Sequence, residues 1–116
     1  MWQVIVLAEV EEWIDSLDSR GKNAVLAGLT DLSIHGPNLG RPLVDRIHGS
    51  LLTNLKELRP IGGGGKTSYR LLFIFDKNRS ALILVGGDKF GLWRDWYQRN
   101  IDLAEFRYLK YLEGEK

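Results

Sequence analysis

The chain has 116 residues, 44% hydrophobic and 27% charged, a balance that fits one small globular domain, residues 1–116, around a single core. It has no cysteine, which excludes disulfides, thiolate metal sites and thiol catalysis, and His35 and His48 are too far apart for a helical i, i+4 metal pair. Net charge is only +1, yet residues 1–33 carry −4 and residues 56–99 carry +5, which suits a local polyanion site better than general coating of nucleic acid.

The longest apolar runs, Leu71 to Phe75 and Ala81 to Val85, are far shorter than the roughly 20 residues a membrane-spanning helix needs. No basic region precedes the first apolar run, and acids follow it directly, which argues against a signal peptide. The expectation is a soluble cytoplasmic protein with no membrane partner.

Trp2 to Leu7 is rich in β-branched residues and reads as a strand buried on both faces. Val10, Trp13, Ile14 and Leu17 recur at helical spacing, with Glu9, Glu11, Glu12 and Asp15 between them, so an amphipathic helix with an acidic wet face follows. Asp18 or Ser19 can cap a second helix through Val25, Leu26, Leu29 and Leu32 until His35-Gly36-Pro37 stops it; the two helices make a hairpin. Residues 37–50 lack periodicity and are punctuated by glycine and proline, which predicts a loop. His48 in that loop is a candidate acid or base on its ordinary pKa, or an incidental loop histidine.

Leu51 to Arg59 reads as a strand with Glu57 and Arg59 on one face and Lys56 on the other. The following glycine run, Gly62 to Gly65 before Lys66, lacks the spacing of a phosphate loop and predicts a flexible hairpin loop. Tyr69 to Asp76 and Ala81 to Gly87 predict an antiparallel hairpin turning at Asp76-Lys77-Asn78-Arg79. Gly86 and Gly87 would allow close approach of a ligand or a sharp exit towards Asp88 and Lys89. Trp93, Trp96, Tyr97, Ile101, Ala104, Tyr108, Tyr111 and Leu112 follow a helical stripe, so a long helix is expected over residues 92–113.

Several segments together resemble the RelE/HigB superfamily of toxins from type II toxin-antitoxin systems, in its phage-derived HigB-like branch. They are Gly40-Arg41-Pro42-Leu43, Gly49-Ser50, Asn54-Leu55-Lys56-Glu57-Leu58-Arg59, Tyr69-Arg70 opening a strand that ends Phe75-Asp76, Leu84-Val85-Gly86-Gly87-Asp88-Lys89, and Trp93-x-x-Trp96-Tyr97. The resemblance spans nearly the whole chain. It implies an α+β fold with a small antiparallel sheet, mixed at most, of about four strands, an N-terminal helical pair and a C-terminal helix. It also implies an endoribonuclease that cleaves messenger RNA, usually on the ribosome, and a cognate antitoxin, often a helix-turn-helix protein.

Carried over by residue, Arg59 matches the basic residue closing the central strand and Arg70 the arginine opening the next. Lys89 falls near the basic residue after the strand-ending glycine, and Tyr97 near the aromatic of the C-terminal segment. Where the best-known RelE enzymes carry two lysines on one face of the central strand, Leu55 and Glu57 stand here. That departure keeps a second reading open, a phage-derived protein that binds RNA or an antitoxin without cutting.

Metal-free RNA cleavage needs a base for the 2′-hydroxyl, charge neutralisation at the phosphorane and an acid for the departing 5′-oxygen. Arg59 and Arg70 suit the second task, because guanidinium stays ionised and grips phosphate oxygens bidentately. Glu57 is a better base than Tyr97, since a glutamate reference pKa of about 4.3 leaves it ionised where tyrosine, near 10, is not. Lys89, Tyr97 and His48 are the candidate acids; Lys56, Lys66 and Arg94 are candidate RNA contacts. No metal or cofactor is expected, because the acids concentrate on the first helix rather than in a cleft.

Overall fold

The structure, a computed structural model, describes residues 1–115. Its elements are β1 (Gln3–Val6), α1 (Ala8–Asp15), α2 (Ser19–His35), a 3₁₀ turn (Gly36–Asn38), β2 (Val44–Arg46), β3 (Lys56–Leu58), β4 (Tyr69–Phe75), β5 (Ser80–Asp88) and α3 (Arg94–Gly114). The strands form one sheet in the order β1-β5-β4-β3-β2. All neighbours are antiparallel except β1 with β5, so the sheet is mixed and has five strands rather than four.

The helices take opposite faces of this sheet. α1 and α2 cover one with Val10, Ile14, Val25, Leu29 and Leu32, against Leu58, Leu71, Phe73 and Ile83. α3 covers the other with Trp96 and Ala104, against Leu55, Leu72, Ile74, Leu82 and Leu84. Each fully buried Leu or Phe contributes about 1.5–3 kcal/mol of transfer free energy, so the two cores together fix α3 and the helical pair across the sheet. Asp18, not Ser19, caps α2, accepting a hydrogen bond from the Gly21 N–H at 2.8 Å.

Several expectations are corrected. β1 is half-buried rather than buried on both faces, because it lies at the edge of the sheet. The strand expected over Leu51 to Arg59 contracts to Lys56–Leu58; the residues before it turn, and Leu51 is 88% exposed. The loop expected over residues 37–50 contains β2, whose three residues are too few to show a period. Gly86 and Gly87 admit neither a ligand nor an exit, since β5 continues to Asp88. A Cβ on Gly86 would stand 2.5 Å from the Trp13 ring, and one on Gly87 would stand 2.8 Å from Trp96 Nε1. The pair is bare because a tryptophan presses on each face.

The glycine run joins β3 to antiparallel β4 as the expected hairpin loop. Gly62, Gly63 and Gly64 hold φ of 106°, 94° and 114°, values that side chains rarely adopt. Thr67 Oγ1 donates to the Gly64 carbonyl at 2.8 Å, and the run leads into a strand, not into the helix a phosphate loop requires.

Candidate functional site

The β3 register decides which charged side chains meet. Lys56 lies across from Phe73 and Leu58 from Leu71, on the face covered by α1 and α2; Glu57 lies across from Leu72 and Asp45, on the α3 face. Glu57 is therefore not at a wet strand end but only 3% exposed. An unpaired carboxylate there would cost several kcal/mol, so its partners are obligatory. Arg59 supplies two, with Nε donating to Glu57 Oε1 at 2.8 Å and Nη2 at 2.7 Å from the same oxygen. Tyr97, one turn into α3, donates its hydroxyl to Glu57 Oε2 at 2.7 Å.

Arg59 is shared. Its Nη2 also reaches Asp45 Oδ2 at 3.2 Å, while Arg41 Nε lies 3.2 Å from the other Asp45 oxygen. The Arg46 backbone N–H and the Arg41 bond hold the Asp45 carboxyl below its ordinary range. Burial works against the Arg59 charge, but the bond and charge of Glu57 and the charge of Asp45 outweigh it and raise its pKa. Expected as a phosphate clamp, Arg59 is instead neutralised by two carboxylates. Asp45 carries no mark in the sequence, because the three residues of β2 are too few to show a strand period.

Arg70 and Lys89 lie beside the cluster and, among the described residues, form no ion pair with those carboxylates. Arg70 sits opposite Gly87 on β4, on the same face as Leu72 and Glu57. Its Nη1 donates to the Tyr69 carbonyl at 2.7 Å, whereas its buried Nε has no protein acceptor among the described residues. Lys89 follows β5, where Asp88 Oδ1 accepts from the N–H groups of Ser68 and Phe90 and so fixes the turn. Lys89 Nζ stands 5.1 Å from the Tyr97 ring centroid and 5.6 Å from that of Trp93.

These placements move two pKa values. Burial, the Glu57 hydrogen bond and the Glu57 charge push the Tyr97 hydroxyl up to about 12, with Arg70 pulling the other way. Burial and the neighbouring Arg70 lower Lys89, with Glu57 opposing and Arg59 adding to the effect. Tyr97 thus holds its proton tightly and Lys89 releases one more readily than an exposed lysine.

The remaining candidates lie apart or at the rim. His48 and Arg94 are exposed and, with Tyr97, Gln98 and Asp102, line an open groove of about 390 Å³. Lys56 lies on the opposite sheet face and Lys66 on the exposed glycine loop, so neither joins the cluster. A larger groove of about 440 Å³, lined by Leu7, Leu103, Phe106 and Tyr111, has no part in it. Among the described residues no three His, Cys, Asp or Glu side chains converge, and no helix is long and apolar enough to cross a membrane.

The fold defines a small α+β protein with a mixed five-stranded sheet between helices, and its likeness to known proteins narrows this further. Residues 12–109 match the family model described as Phage derived protein Gp49-like. A Mycobacterium tuberculosis protein named "Putative toxin HigB3" is 44% identical over 112 residues, 97% of this chain and 95% of that one. A second from the same organism, "Putative toxin HigB2", is 40% identical over 103 residues, 89% of this chain but 51% of that longer protein. The chain belongs to the phage-derived Gp49-like family, among its HigB-like toxins.

Proposed function

We propose that this chain is the toxin of a type II toxin-antitoxin system and acts as a metal-independent endoribonuclease on messenger RNA held by the ribosome. The observation that carries this reading is the Tyr97 hydroxyl bonded to buried Glu57 at 2.7 Å, with Arg70 and Lys89 beside it. Glu57 is too enclosed to meet a ribose directly, so Tyr97 relays. The 2′-hydroxyl proton passes to the Tyr97 oxygen as the Tyr97 proton passes to Glu57 Oε2.

The freed 2′-oxygen attacks phosphorus, and the bond from phosphorus to the 5′-oxygen breaks. Lys89 protonates that oxygen, which leaves a 2′,3′-cyclic phosphate and a 5′-hydroxyl. Solvent then reprotonates Lys89 and takes the proton from Glu57. Arg70 balances the phosphorane charge, and each such contact supplies about 2–4 kcal/mol in other anion holes. Arg59 acts through Glu57 as a positioning residue. His48, Arg94 and Lys66 contact RNA at the rim or beyond it, and Lys56 contributes only from the far face.

Purified protein incubated with translating ribosomes in EDTA is expected to cut messenger RNA; intact RNA at high protein excess overturns the proposal. The neutralisation of Arg59 by Glu57 and Asp45 favours the competing reading, a binder that holds RNA or antitoxin without cutting. Growth separates the two. Under the nuclease reading, expression arrests growth and Arg70→Ala abolishes the arrest, whereas a binder gives no arrest to abolish. A helix-turn-helix antitoxin is the expected partner, and co-expression of an adjacent reading frame that restores growth would identify it.

A further inference from the structure

The turn between β5 and α3 presents two aromatic rings that the core does not use. Trp93 is 48% exposed and Phe90 42%, whereas Trp2, Trp13 and Trp96 pack against Phe75, Tyr69 and Tyr97. The two exposed rings lie 5.4 Å apart at 59°. Trp93 has φ of 45°, a conformation that a bulky residue rarely adopts, and its N–H is tied to the Lys89 carbonyl at 2.9 Å. The backbone thus holds the indole outward.

Lys89 joins this pair to the cluster, its ammonium standing over both Trp93 and Tyr97. Arg70, whose buried Nε has no partner among the described residues, lies opposite Gly87, two residues before Lys89, at the same edge of the site. A cation beside half-exposed aromatic rings suits single-stranded nucleic acid, with phosphate held by charge and a base held by stacking. A nucleic-acid strand can use the ring and the ammonium together, whereas an apolar protein patch would use the ring alone.

We infer that Trp93, supported by Phe90, is a stacking platform for one unpaired base next to the phosphate held by Arg70 and Lys89. This rests on the RNA reading given above and names how the site takes hold of its strand. Stacking is available from every base, so the platform gives affinity for unpaired bases rather than a sequence code.

The test uses two uncleavable oligonucleotides of equal length and charge, a 2′-O-methyl single strand and its abasic counterpart, with binding to the intact protein read by fluorescence anisotropy. Wild type is expected to prefer the base-bearing strand by about tenfold, the effect of one stacked base. Trp93→Ala removes the preference, Trp93→Phe keeps most of it, and Arg70→Ala weakens both strands alike. A preference that survives in both Trp93→Ala and Phe90→Ala overturns the platform. Equal binding of both strands by wild type, still sensitive to Arg70→Ala, overturns it while leaving the RNA reading standing. Failure of either strand to bind, with no effect of Arg70→Ala, overturns both. If circular dichroism shows Trp93→Ala unfolded, Phe90→Ala decides: loss of the preference supports the platform and its survival overturns it.

Discussion

Glu57→Gln is the sharpest perturbation, because it separates what the carboxylate does for folding from what it does for chemistry. The amide oxygen can still accept from Arg59 and the amide nitrogen can face the Tyr97 oxygen, so packing at this buried position survives. The loss is the charge assistance of bonds now at 2.7–2.8 Å, worth about 1–3 kcal/mol in urea unfolding. Glu57→Ala goes further: it leaves the Tyr97 hydroxyl without an acceptor and Arg59 with Asp45 alone, and about 3–5 kcal/mol is expected. On translating ribosomes Glu57→Gln should lower the cleavage rate by roughly 10²–10⁴, as removal of a positioned base does. Tyr97→Phe should fall similarly, and the double variant no further, because both residues serve one relay. Cleavage by a folded Glu57→Gln protein within a few fold of wild type would refute the relay.

Three other outcomes are expected. Arg70→Ala should cost on the order of 10²-fold or more in cleavage and less than about 1 kcal/mol in stability, since the guanidinium donates to the Tyr69 carbonyl and pairs with no carboxylate among the described residues; a large loss of unfolding free energy would make it a structural residue. Gly87→Ala drives a methyl group to 2.8 Å from Trp96 and should destabilise by about 1–3 kcal/mol, whereas Gly40→Ala, with nothing within 4 Å, should be near neutral; equal unfolding midpoints would discount the clasp. The Tyr97 pKa is raised from 10.0 to about 12, so between those values the folded state keeps a proton that the unfolded state has lost, and stability falls as pH rises. After allowance for the ring's partial exposure the loss is roughly 2 kcal/mol, read as a shrinking gap between wild type and Tyr97→Phe in urea unfolding; a flat gap would contradict it. The alkaline limb of cleavage should likewise fall below 10.5, as Lys89 loses its proton early.

What the sequence disclosed was set by how much of each signal is local. The helical stripes of Val10-Trp13-Ile14 and Trp96-Ile101-Ala104 located α1 and α3, and strand parity separated Glu57 and Arg59 from Lys56. β2 escaped because three residues carry no period, and Asp45 escaped with it. The enclosure of Glu57 was illegible for a different reason. It depends on α3 laying Tyr97 over β3 from 40 residues away, a tertiary event that no window around Leu55 or Arg59 contains. The bulge between Leu72 and Phe73, which puts Leu84 and Val85 on one face, also has no mark in the apolar run that hides it.

The parallel pairing of β1 with β5 has a consequence for how the molecule comes into being. Gln3 lies opposite Ser80 and their side chains meet across 77 residues, so β1 waits for β5 before it can join the sheet. Until β5 exists β1 has no strand to pair with, and until α3 exists Glu57 has no phenol. A nascent chain therefore holds the parts of the surface without the surface itself. The surface is complete only once α3 covers the sheet and brings Tyr97 to Glu57.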